Sequence, residues 1–154
     1  MTAASHVEVQ RLFPHSIERV FRRYTDHEGW SDWAGTGPVT LVQVGSPDRN
    51  GVGAVRAFST APGLREEVTA FEPSPAAGGG ARLDYRVIRG PIPLADHRGE
   101  VVFTPQGAGT LVTWRVSFRS RIPGLGWPLE RGLTALFGRM LRGLGRDLDR
   151  GRED

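Results

Sequence analysis

The feature that most constrains the fold is an apolar stripe in the last long segment of the chain, from Pro128 to about Leu148. Apolar side chains recur there at three- and four-residue intervals, which places them along one side of a helix. They are Leu129, Leu133, Leu136, Phe137, Met140, Leu141, Leu144 and Leu148. Four glycines in the same segment would each weaken an isolated helix by up to about 1 kcal/mol relative to alanine. The helix therefore needs burial against another element to persist.

Upstream of this helix, the sequence predicts a strand, two short helices and then six consecutive strands. Apolar residues at helical spacing from Ile17 to Tyr24 predict the first short helix, and Asp26 can cap a second one that carries Trp30 and Trp33. Between residues 39 and 119, alternating apolar runs are separated by turns rich in Gly, Pro and Asn. Consecutive antiparallel strands form a meander whose apolar face must be covered, and only the last helix is long enough to cover it.

Length and composition point to one cytoplasmic domain. A chain of 154 residues is expected to form a single domain over residues 1–154, long enough to enclose a core that contains a cavity. The absence of cysteine excludes disulfides and thiolate metal sites. No apolar run reaches about 18 residues and no signal-peptide pattern is present. We therefore expect a cytoplasmic protein without stable membrane insertion.

The charge pattern argues against a nucleic-acid partner. The pI of about 10.4 accompanies a net charge of only +3, because every basic residue is an arginine, which titrates only at very high pH. These arginines are interleaved with 17 acidic residues, and the densest group lies on the outer side of the last helix without interleaved aromatic residues. We interpret this group as a solvated helix face and expect no nucleic acid to bind.

The sequence contains no pattern for a metal or a cofactor. His6, His15 and His27 lack metal-ligand spacing with one another and with acidic residues. Residues 51–56 (GVGAVR) lack the preceding strand and following helix of a dinucleotide-binding loop, which favours a hairpin there. We therefore expect neither a metal nor another cofactor.

Four short motifs, in this order along the chain, resemble those of one superfamily. They are Tyr24-Thr25-Asp26 followed by Trp30 and Trp33, residues 51–56, residues 67–73 (EVTAFEP), and Gly109-Thr110 followed by Trp114. The sequence in this way resembles the START-like superfamily, which includes the Bet v 1-like proteins and the polyketide cyclase/dehydrase group. The resemblance implies an α+β helix-grip fold, in which a seven-stranded curved antiparallel sheet wraps around a long C-terminal helix and two short helices follow the first strand.

The same resemblance implies a deep, mostly apolar cavity between the sheet and the long helix. Members of the superfamily use this cavity for lipids, steroids, polyketides or other hydrophobic small molecules. Some members catalyse cyclisation, aromatisation or dehydration, whereas many only bind. The resemblance therefore implies a hydrophobic small-molecule partner, and it leaves the choice between a carrier and an enzyme open. A monomer and a homodimer are both compatible with it.

Hairpin symmetry predicts a row of polar side chains across the sheet. A turn at residues 60–63 sets Arg56 opposite Glu67, and a connection centred near Ala76 sets Glu67 opposite Tyr85. The next two turns set Tyr85 opposite Glu100 and Glu100 opposite Trp114. Directly opposed residues share a face of the sheet. Because Trp114 alternates in phase with apolar residues, we expect this row to lie on the concave face.

Such a row has a possible use in catalysis and a purely structural alternative. Arg56 would stabilise an anion or an enolate oxygen, Glu67 or Glu100 would act as acid or base, and Tyr85 would donate a hydrogen bond. Alternatively, Arg56 and Glu67 form only a cross-strand ion pair, and a register slip of one residue would move any member of the row to solvent. For His97 there are two interpretations, an acid or base near the cavity mouth and a surface histidine near a loop, and we favour the surface position.

The predicted ligand-binding walls come from the second short helix, the sheet and the last helix. They comprise Trp30, Trp33, Phe58, Glu100, Trp114, Val116, Phe118, Phe137, Met140 and Leu141. A carrier needs only these walls, whereas a polyketide cyclase/dehydrase-like enzyme needs Arg56, Glu67 and Tyr85 to converge on the same cavity. A third interpretation, in which the last helix lies on a membrane surface, is disfavoured because the sheet would lose its cover.

Overall fold

A computed structural model describes residues 3–75 and 77–151 of the protein. It contains seven strands, two α-helices and a short 3₁₀ helix between α1 and β2. In chain order the elements are β1 (Ser5–Phe13), α1 (Ile17–Thr25), the 3₁₀ helix (His27–Asp32), β2 (Val39–Gln43), β3 (Val55–Phe58), β4 (Arg65–Glu72), β5 (Ala81–Arg89), β6 (Leu94–Gln106), β7 (Gly109–Ser120) and α2 (Gly126–Gly151).

The seven strands form one antiparallel sheet in the order β1-β7-β6-β5-β4-β3-β2. The six strands from β2 to β7 follow one another as a meander, and β1 joins the sheet beside β7. The long helix α2 packs on the sheet, and this arrangement is the predicted helix-grip α+β fold. No helix in the described part of the chain is long and apolar enough to cross a membrane.

The helix α2 is buried unevenly along its length. Leu141, Leu144 and Leu148 in its C-terminal half are almost completely buried, whereas Leu129 and Leu133 in its N-terminal half are only partly buried. A Cβ atom added at Gly143 would clash with the main-chain carbonyl of Trp33. One of the four glycines that weaken α2 in isolation thus lets the helix approach the rest of the core closely.

The C-terminal end of α2 is fastened to α1 by polar contacts. Arg23 forms a bidentate pair with Asp147, at 2.7 and 3.0 Å. Arg19 Nη2 donates a hydrogen bond of 2.7 Å to the carbonyl of Leu148. The other end of α2 lacks such ties to α1 among the described contacts, and this end lies over the cavity described below.

The predicted pairing between β3 and β4 is wrong by one residue. Arg56 lies opposite Glu66, and Glu67 lies opposite Val55. The physical reason is the connection between the strands, which contains two successive turns: Ala61 N–H donates to the Phe58 carbonyl and Leu64 N–H donates to the Ala61 carbonyl. Since successive side chains point to opposite faces, this shift moves Glu67 to the outer face of the sheet.

The rest of the predicted row is also wrong in register. Tyr85 lies opposite Val68 on one side and Gly99 on the other. Glu100 lies opposite Arg115, and Val101 takes the place opposite Trp114. The turn between β6 and β7 occupies residues 107 and 108, so that Gln106 pairs with Gly109 and the register differs by one from symmetry about Gly107. In β4 a bulge between Val68 and Ala70 also changes which residues oppose each other. The turn expected near Ala76 falls outside the described residues.

Candidate functional site

A cavity of about 230 Å³ lies between the concave face of the sheet and α2. Its walls are mainly aromatic and aliphatic, with Trp30, Phe58, Tyr85, Trp114 and Phe137 as the aromatic members. The rings of Trp114 and Phe137 stack at a centroid distance of 4.1 Å and an interplanar angle of 11°. The rim includes Leu133 and Leu136 of α2, both only partly buried. The cavity thus offers flat apolar surfaces to a bound molecule.

Three ionisable side chains reach the cavity surface from neighbouring strands: Glu66 of β4, Tyr85 of β5 and His97 of β6. We call these three the polar wall. The rings of Tyr85 and His97 lie 5.5 Å apart. Glu66 lies opposite Val87 in the sheet, and the Val87 N–H donates to His97 Nδ1 at 3.1 Å. The three groups are therefore close neighbours on one side of the cavity.

Local backbone features bring the polar wall together. Glu66 alternates with Leu64 and Val68, and side chains two residues apart share a face of the sheet. The Tyr85 ring lies across Gly99, where an added Cβ atom would overlap the ring. A bulge interrupts β6 between Ala95 and Arg98, and Asp96 within it has a positive φ of 52°. His97 is in phase with the inward-facing Gly99 and Val101 and lines the cavity, whereas the sequence favoured a surface position.

Arg56 contacts two members of the polar wall, Glu66 and Tyr85, without lining the cavity itself. Its side chain is completely buried and does not contribute to the cavity surface. Its Nη2 atom donates a hydrogen bond of 2.8 Å to Glu66 Oε1. The guanidinium carbon also lies 4.5 Å from the ring centre of Trp30 and 4.7 Å from that of Tyr85. Such contacts between a cation and aromatic faces are favourable, especially when the cation is removed from water.

His27 contacts the opposite side of the Arg56 guanidinium. The distance from Arg56 Nη1 to His27 Nδ1 is 3.3 Å, and His27 Nε2 lies 2.9 Å from the carbonyl oxygen of Asn50. A carbonyl only accepts, so Nε2 carries the proton and Nδ1 accepts from Arg56. Burial and the nearby Arg56 charge lower the pKa of His27 to about 3. His27 is therefore neutral near pH 7.

Burial also shifts the pKa of each member of the polar wall. It raises the pKa of Glu66, against the opposing effect of Arg56. It raises the pKa of the Tyr85 hydroxyl, and the neighbouring Glu66 charge acts in the same direction. It lowers the pKa of His97 to about 4, with a further contribution from Arg56. At neutral pH Tyr85 and His97 are uncharged, and Arg56 is paired with Glu66.

The polar wall offers both donors and an acceptor to the cavity. Within residues 3–75 and 77–151, Glu66 Oε2 has no hydrogen-bond partner, because only Oε1 is engaged by Arg56. His97 Nδ1 accepts from the chain, so neutral His97 carries its proton on Nε2. The Tyr85 hydroxyl oxygen accepts from Trp114 Nε1 at 2.8 Å and keeps its own proton for donation. Together, these three side chains can form hydrogen bonds with a polar substituent at the edge of an apolar molecule.

The structure divides the predicted site residues into three groups. Those on the cavity surface are Tyr85, Trp30, Phe58, Trp114, Phe137 and Met140. Those that are buried in the core without lining the cavity are Arg56, Trp33, Val116, Phe118 and Leu141. Those on the outer face are Glu67, which pairs with Arg86 at 2.8 Å, and Glu100, which pairs with Arg82 and Arg115 at 3.3 and 3.5 Å.

The sequence interpretation missed Glu66 and His27, and it considered His97 near the cavity mouth but favoured the surface. A signal for Glu66 was present, because it alternates with the apolar residues Leu64 and Val68, whereas Glu67 does not. His97 is also in phase with the inward-facing Phe103 of β6. Nothing in the sequence around His27 distinguishes it from a surface histidine, because its partners Asn50 and Arg56 reach it only through the tertiary fold.

A second, larger groove of about 790 Å³ lies at the surface between α1, the C-terminal end of α2 and the connection from β2 to β3. It is open to solvent, and its walls include Arg23, which forms ion pairs with both Asp26 and Asp147. These ion pairs serve the packing of α1 on α2 and offer little to a hydrophobic molecule. The part of the chain covered by the structure contains no group of three or more acidic or histidine side chains arranged for a metal ion.

The sequence matches a family model described as polyketide cyclase/dehydrase and lipid transport, over residues 4–149. The chain belongs to this family. The family supports a role in ligand binding or cyclisation. The chain has no significant match among curated proteins.

Solved structures share the fold at low sequence identity. The Zhui aromatase/cyclase from Streptomyces is 15% identical, with a TM-score of 0.74 over 96% of this chain and 95% of that one. A protein from Thermobifida fusca is 20% identical, with a TM-score of 0.72 over 94% and 93%. DynU16, from the dynemicin biosynthetic locus, is 19% identical, with a TM-score of 0.60 over 96% of this chain and 48% of its own.

Proposed function

We propose that the protein binds a neutral hydrophobic molecule built on one ring or two fused rings, in the cavity between the sheet and α2. The observation that carries this proposal is an aromatic cavity with one polar side. Trp30, Trp114 and Phe137 provide flat surfaces for a ring, while Glu66 and His97 provide hydrogen bonds at its edge. Ligand pockets typically combine predominantly apolar walls with a few well-placed polar groups.

The size of the cavity favours a compact ligand over a long lipid chain. A volume of about 230 Å³ is smaller than the range of about 300–1,000 Å³ that is usual for drug-sized ligands. An apolar cavity of about 150 Å³ is known to bind benzene. A substituted ring or a pair of fused rings therefore fits without rearrangement, whereas a larger molecule requires movement of the partly buried rim residues Leu133 and Leu136.

The charges around the cavity favour a neutral ligand. Arg56 is already paired with Glu66, and the lowered pKa values of His27 and His97 keep both rings uncharged at pH 7. A cationic or anionic ligand would bring an uncompensated charge into an apolar space, which costs several kcal/mol. A hydroxyl or carbonyl substituent satisfies the polar wall without that cost.

The test is a titration of the protein with p-cresol, followed through the four indole N–H signals in ¹⁵N NMR. We expect the signals of Trp30 and Trp114 to shift, because both rings line the cavity. The signal of Trp127, whose side chain is exposed at 66%, serves as an internal control and is expected to stay in place. Lauric acid provides the comparison for an acyl chain and is expected to bind more weakly. Shifts confined to Trp127, or no shifts at all, would refute the proposal.

A second candidate function is a dehydration or an aldol-type cyclisation, favoured by the raised pKa of Glu66 at the cavity wall. In a dehydration of a β-hydroxyketone, the Glu66 carboxylate removes the proton next to the carbonyl. The hydrogen-bond donors of His97 and Tyr85 stabilise the enolate oxygen. Protonated Glu66 then returns the proton to the departing hydroxyl, so that the C–O bond breaks, a C=C bond forms and water leaves.

The aldol adduct of benzaldehyde and acetone tests this chemistry, because its dehydration product benzalacetone absorbs in the near ultraviolet. An enzyme would accelerate the dehydration over the rate in buffer, and Glu66→Gln would abolish the acceleration while p-cresol still binds. Glu67→Gln is the matched control on the outer face and is expected to leave the rate unchanged. Binding of p-cresol without any acceleration would favour the carrier over the enzyme.

A further inference from the structure

A continuous chain of hydrogen bonds runs from the connection between β2 and β3 to the cavity wall. The Asn50 carbonyl accepts from His27 Nε2, His27 Nδ1 accepts from Arg56 Nη1, and Arg56 Nη2 donates to Glu66 Oε1. Arg56 and His27 are both fully buried. The last member, Glu66, belongs to the cavity surface. His27, which does not line the cavity, is thus connected through Arg56 to Glu66, the acidic side chain at the cavity surface.

We propose that His27 is a positioning residue that acts through Arg56: it holds the guanidinium in the orientation in which Arg56 engages the Glu66 carboxylate. The inference deepens the proposed function, because Glu66 is the acceptor that the cavity presents to a ligand. It identifies His27, which lies outside the cavity, as the residue that controls how Arg56 is oriented towards Glu66.

The contacts of Arg56 explain why it needs His27. Within residues 3–75 and 77–151, the guanidinium has two hydrogen-bond acceptors, His27 Nδ1 and Glu66 Oε1, and its Nε atom has none. The Tyr24 hydroxyl also lies near Arg56, but within the described chain it makes no hydrogen bond there. The rings of Trp30 and Tyr85 lie against it, but a ring face attracts a cation without fixing its rotation in the plane. Two hydrogen bonds on different Nη atoms fix that rotation, and His27 provides one of them.

The influence of His27 on Glu66 is geometric, because the neutral imidazole carries no charge. The groups that face Glu66 are Arg56 from β3, Tyr85 from β5, His97 from β6 and Tyr24 from α1, and of these only Arg56 is charged at neutral pH. The acidity of Glu66 therefore depends on how well Arg56 is oriented towards it. If Arg56 turns away, the carboxylate loses its stabilising charge-assisted hydrogen bond and its pKa rises further.

Two substitutions separate the two hydrogen bonds of His27. Asn places its Oδ1 near the position of His27 Nδ1, so His27→Asn retains an acceptor for Arg56. Gln places its amide nitrogen near the position of Nε2, so His27→Gln retains the donor to Asn50 and loses the acceptor. The measurement is the titration of the Glu66 carboxyl carbon by ¹³C NMR in ligand-free protein, with the signal assigned by its loss in Glu66→Gln.

We expect His27→Asn to leave the Glu66 midpoint nearly unchanged, and His27→Gln to raise it by about one pH unit, a tenfold change in acidity. His15 provides the control, because it is also buried but pairs with Asp149 of α2 and has no contact with Arg56 or Glu66 among the described interactions. His15→Asn and His15→Gln are expected to lower the melting temperature without moving the Glu66 midpoint. An unchanged midpoint in both His27 variants, with lowered stability, would show that His27 serves packing alone.

A measurement on the unmodified protein keeps the inference testable if the His27 variants do not fold. The imidazole ¹⁵N signals should show His27 protonated at Nε2, and the Nδ1 signal should shift with the midpoint of Glu66. A proton on Nδ1, or an Nδ1 signal that ignores the Glu66 titration, would overturn the inference. Neither measurement uses a ligand, so a failure of p-cresol to bind would refute the proposed function and leave this inference intact.

Discussion

Glu66 and Glu67 are neighbours in the chain, and each pairs with an arginine on an adjacent strand, yet they lie in opposite environments. Glu66 is 13% exposed and pairs with the completely buried Arg56, whereas Glu67 is 25% exposed and pairs with Arg86, which is 57% exposed. Both ion pairs have an N···O distance of 2.8 Å. The face of the sheet, and not the residue type or the pairing distance, therefore decides which glutamate faces the cavity.

The two pairs differ in what their loss would do. On the outer face, water solvates a charge that has lost its partner, and exposed pairs contribute only about 0–1 kcal/mol. On the inner face, the remaining charge stays in an apolar environment, and breaking a buried pair costs about 3–5 kcal/mol. Substitutions on the two faces therefore test the comparison directly.

The largest effect is expected for Arg56→Met, which leaves Glu66 and the imidazole of His27 without their shared partner. We expect the free energy of unfolding to fall by about 3–5 kcal/mol, measured by urea denaturation at pH 7. The matched change on the outer face, Arg86→Met, is expected to cost less than about 1 kcal/mol. Equal losses for the two variants would contradict the contrast between the faces.

A smaller effect is expected for Gly99→Ala, because the added Cβ atom would overlap the Tyr85 ring and displace it into the cavity. Overpacking of this kind typically costs about 1–3 kcal/mol, and p-cresol binding should weaken at the same time. Gly138→Ala on α2 is the control, since its added Cβ atom would meet only the end of the Arg142 side chain at 3.6 Å. That variant should keep p-cresol binding and equal or exceed the stability of the unmodified protein.

The buried histidines predict a loss of stability in mild acid. The pKa of His27 is lowered from 6.5 to about 3, so the unfolded chain takes up a proton below pH 6.5 that the folded protein resists. The stabilising contribution of His27 to the free energy of unfolding is fully present above pH 6.5, and it is lost as the pH falls towards 3. Between pH 7 and about pH 5.5 the loss amounts to roughly 1 kcal/mol. Urea denaturation at both pH values should show this loss in the unmodified protein and a smaller one in His27→Asn.

The smallest effect is the pH dependence of Glu66→Gln, which is opposite in sign to that of His27 and comes in addition to the loss from leaving Arg56 buried without its charged partner. Burial raises the pKa of Glu66 above the ordinary value of 4.5, so the folded protein holds this proton more tightly than the unfolded chain. The stabilising contribution of Glu66 protonation to the free energy of unfolding is fully present below pH 4.5, and it is lost as the pH rises through the raised pKa. The stability of Glu66→Gln relative to the unmodified protein should therefore improve from pH 4 to pH 7. An equal trend in Glu67→Gln would remove the distinction between the two glutamates.

The fold could be predicted from the sequence, because it depends on patterns of apolar residues that tolerate small errors in where each element begins and ends. The apolar stripe of α2, the two short helices and the six runs of strand between residues 39 and 119 remain recognisable even when each boundary is uncertain by a residue or two. The motifs of the START-like superfamily added the order of these elements. A helix that needs burial and a sheet that needs a cover then leave few possible arrangements.

The polar wall could not be predicted from the sequence, because its members depend on the register between strands. An error of one residue in that register changes which side chains face the cavity. The two turns between Phe58 and Leu64 moved Glu67 outwards and Glu66 inwards. The bulge around Asp96 interrupts β6 beside His97 and hides the alternation that places His97 in phase with Phe103. Neither feature has a clear pattern in the sequence, although the alternation of Leu64, Glu66 and Val68 would have been a better guide than symmetry about an assumed turn.

The measurement that tests the central claim most directly is an NMR experiment that detects nuclear Overhauser effects between bound p-cresol and the protein. If the ligand occupies the cavity, the ring protons of p-cresol should show contacts to Trp30, Trp114 and Phe137, and the contacts should disappear when Phe137 is replaced by Trp to fill the space. Contacts to Trp127 and Arg131 at the exposed start of α2 instead, or no contacts at all, would contradict the account.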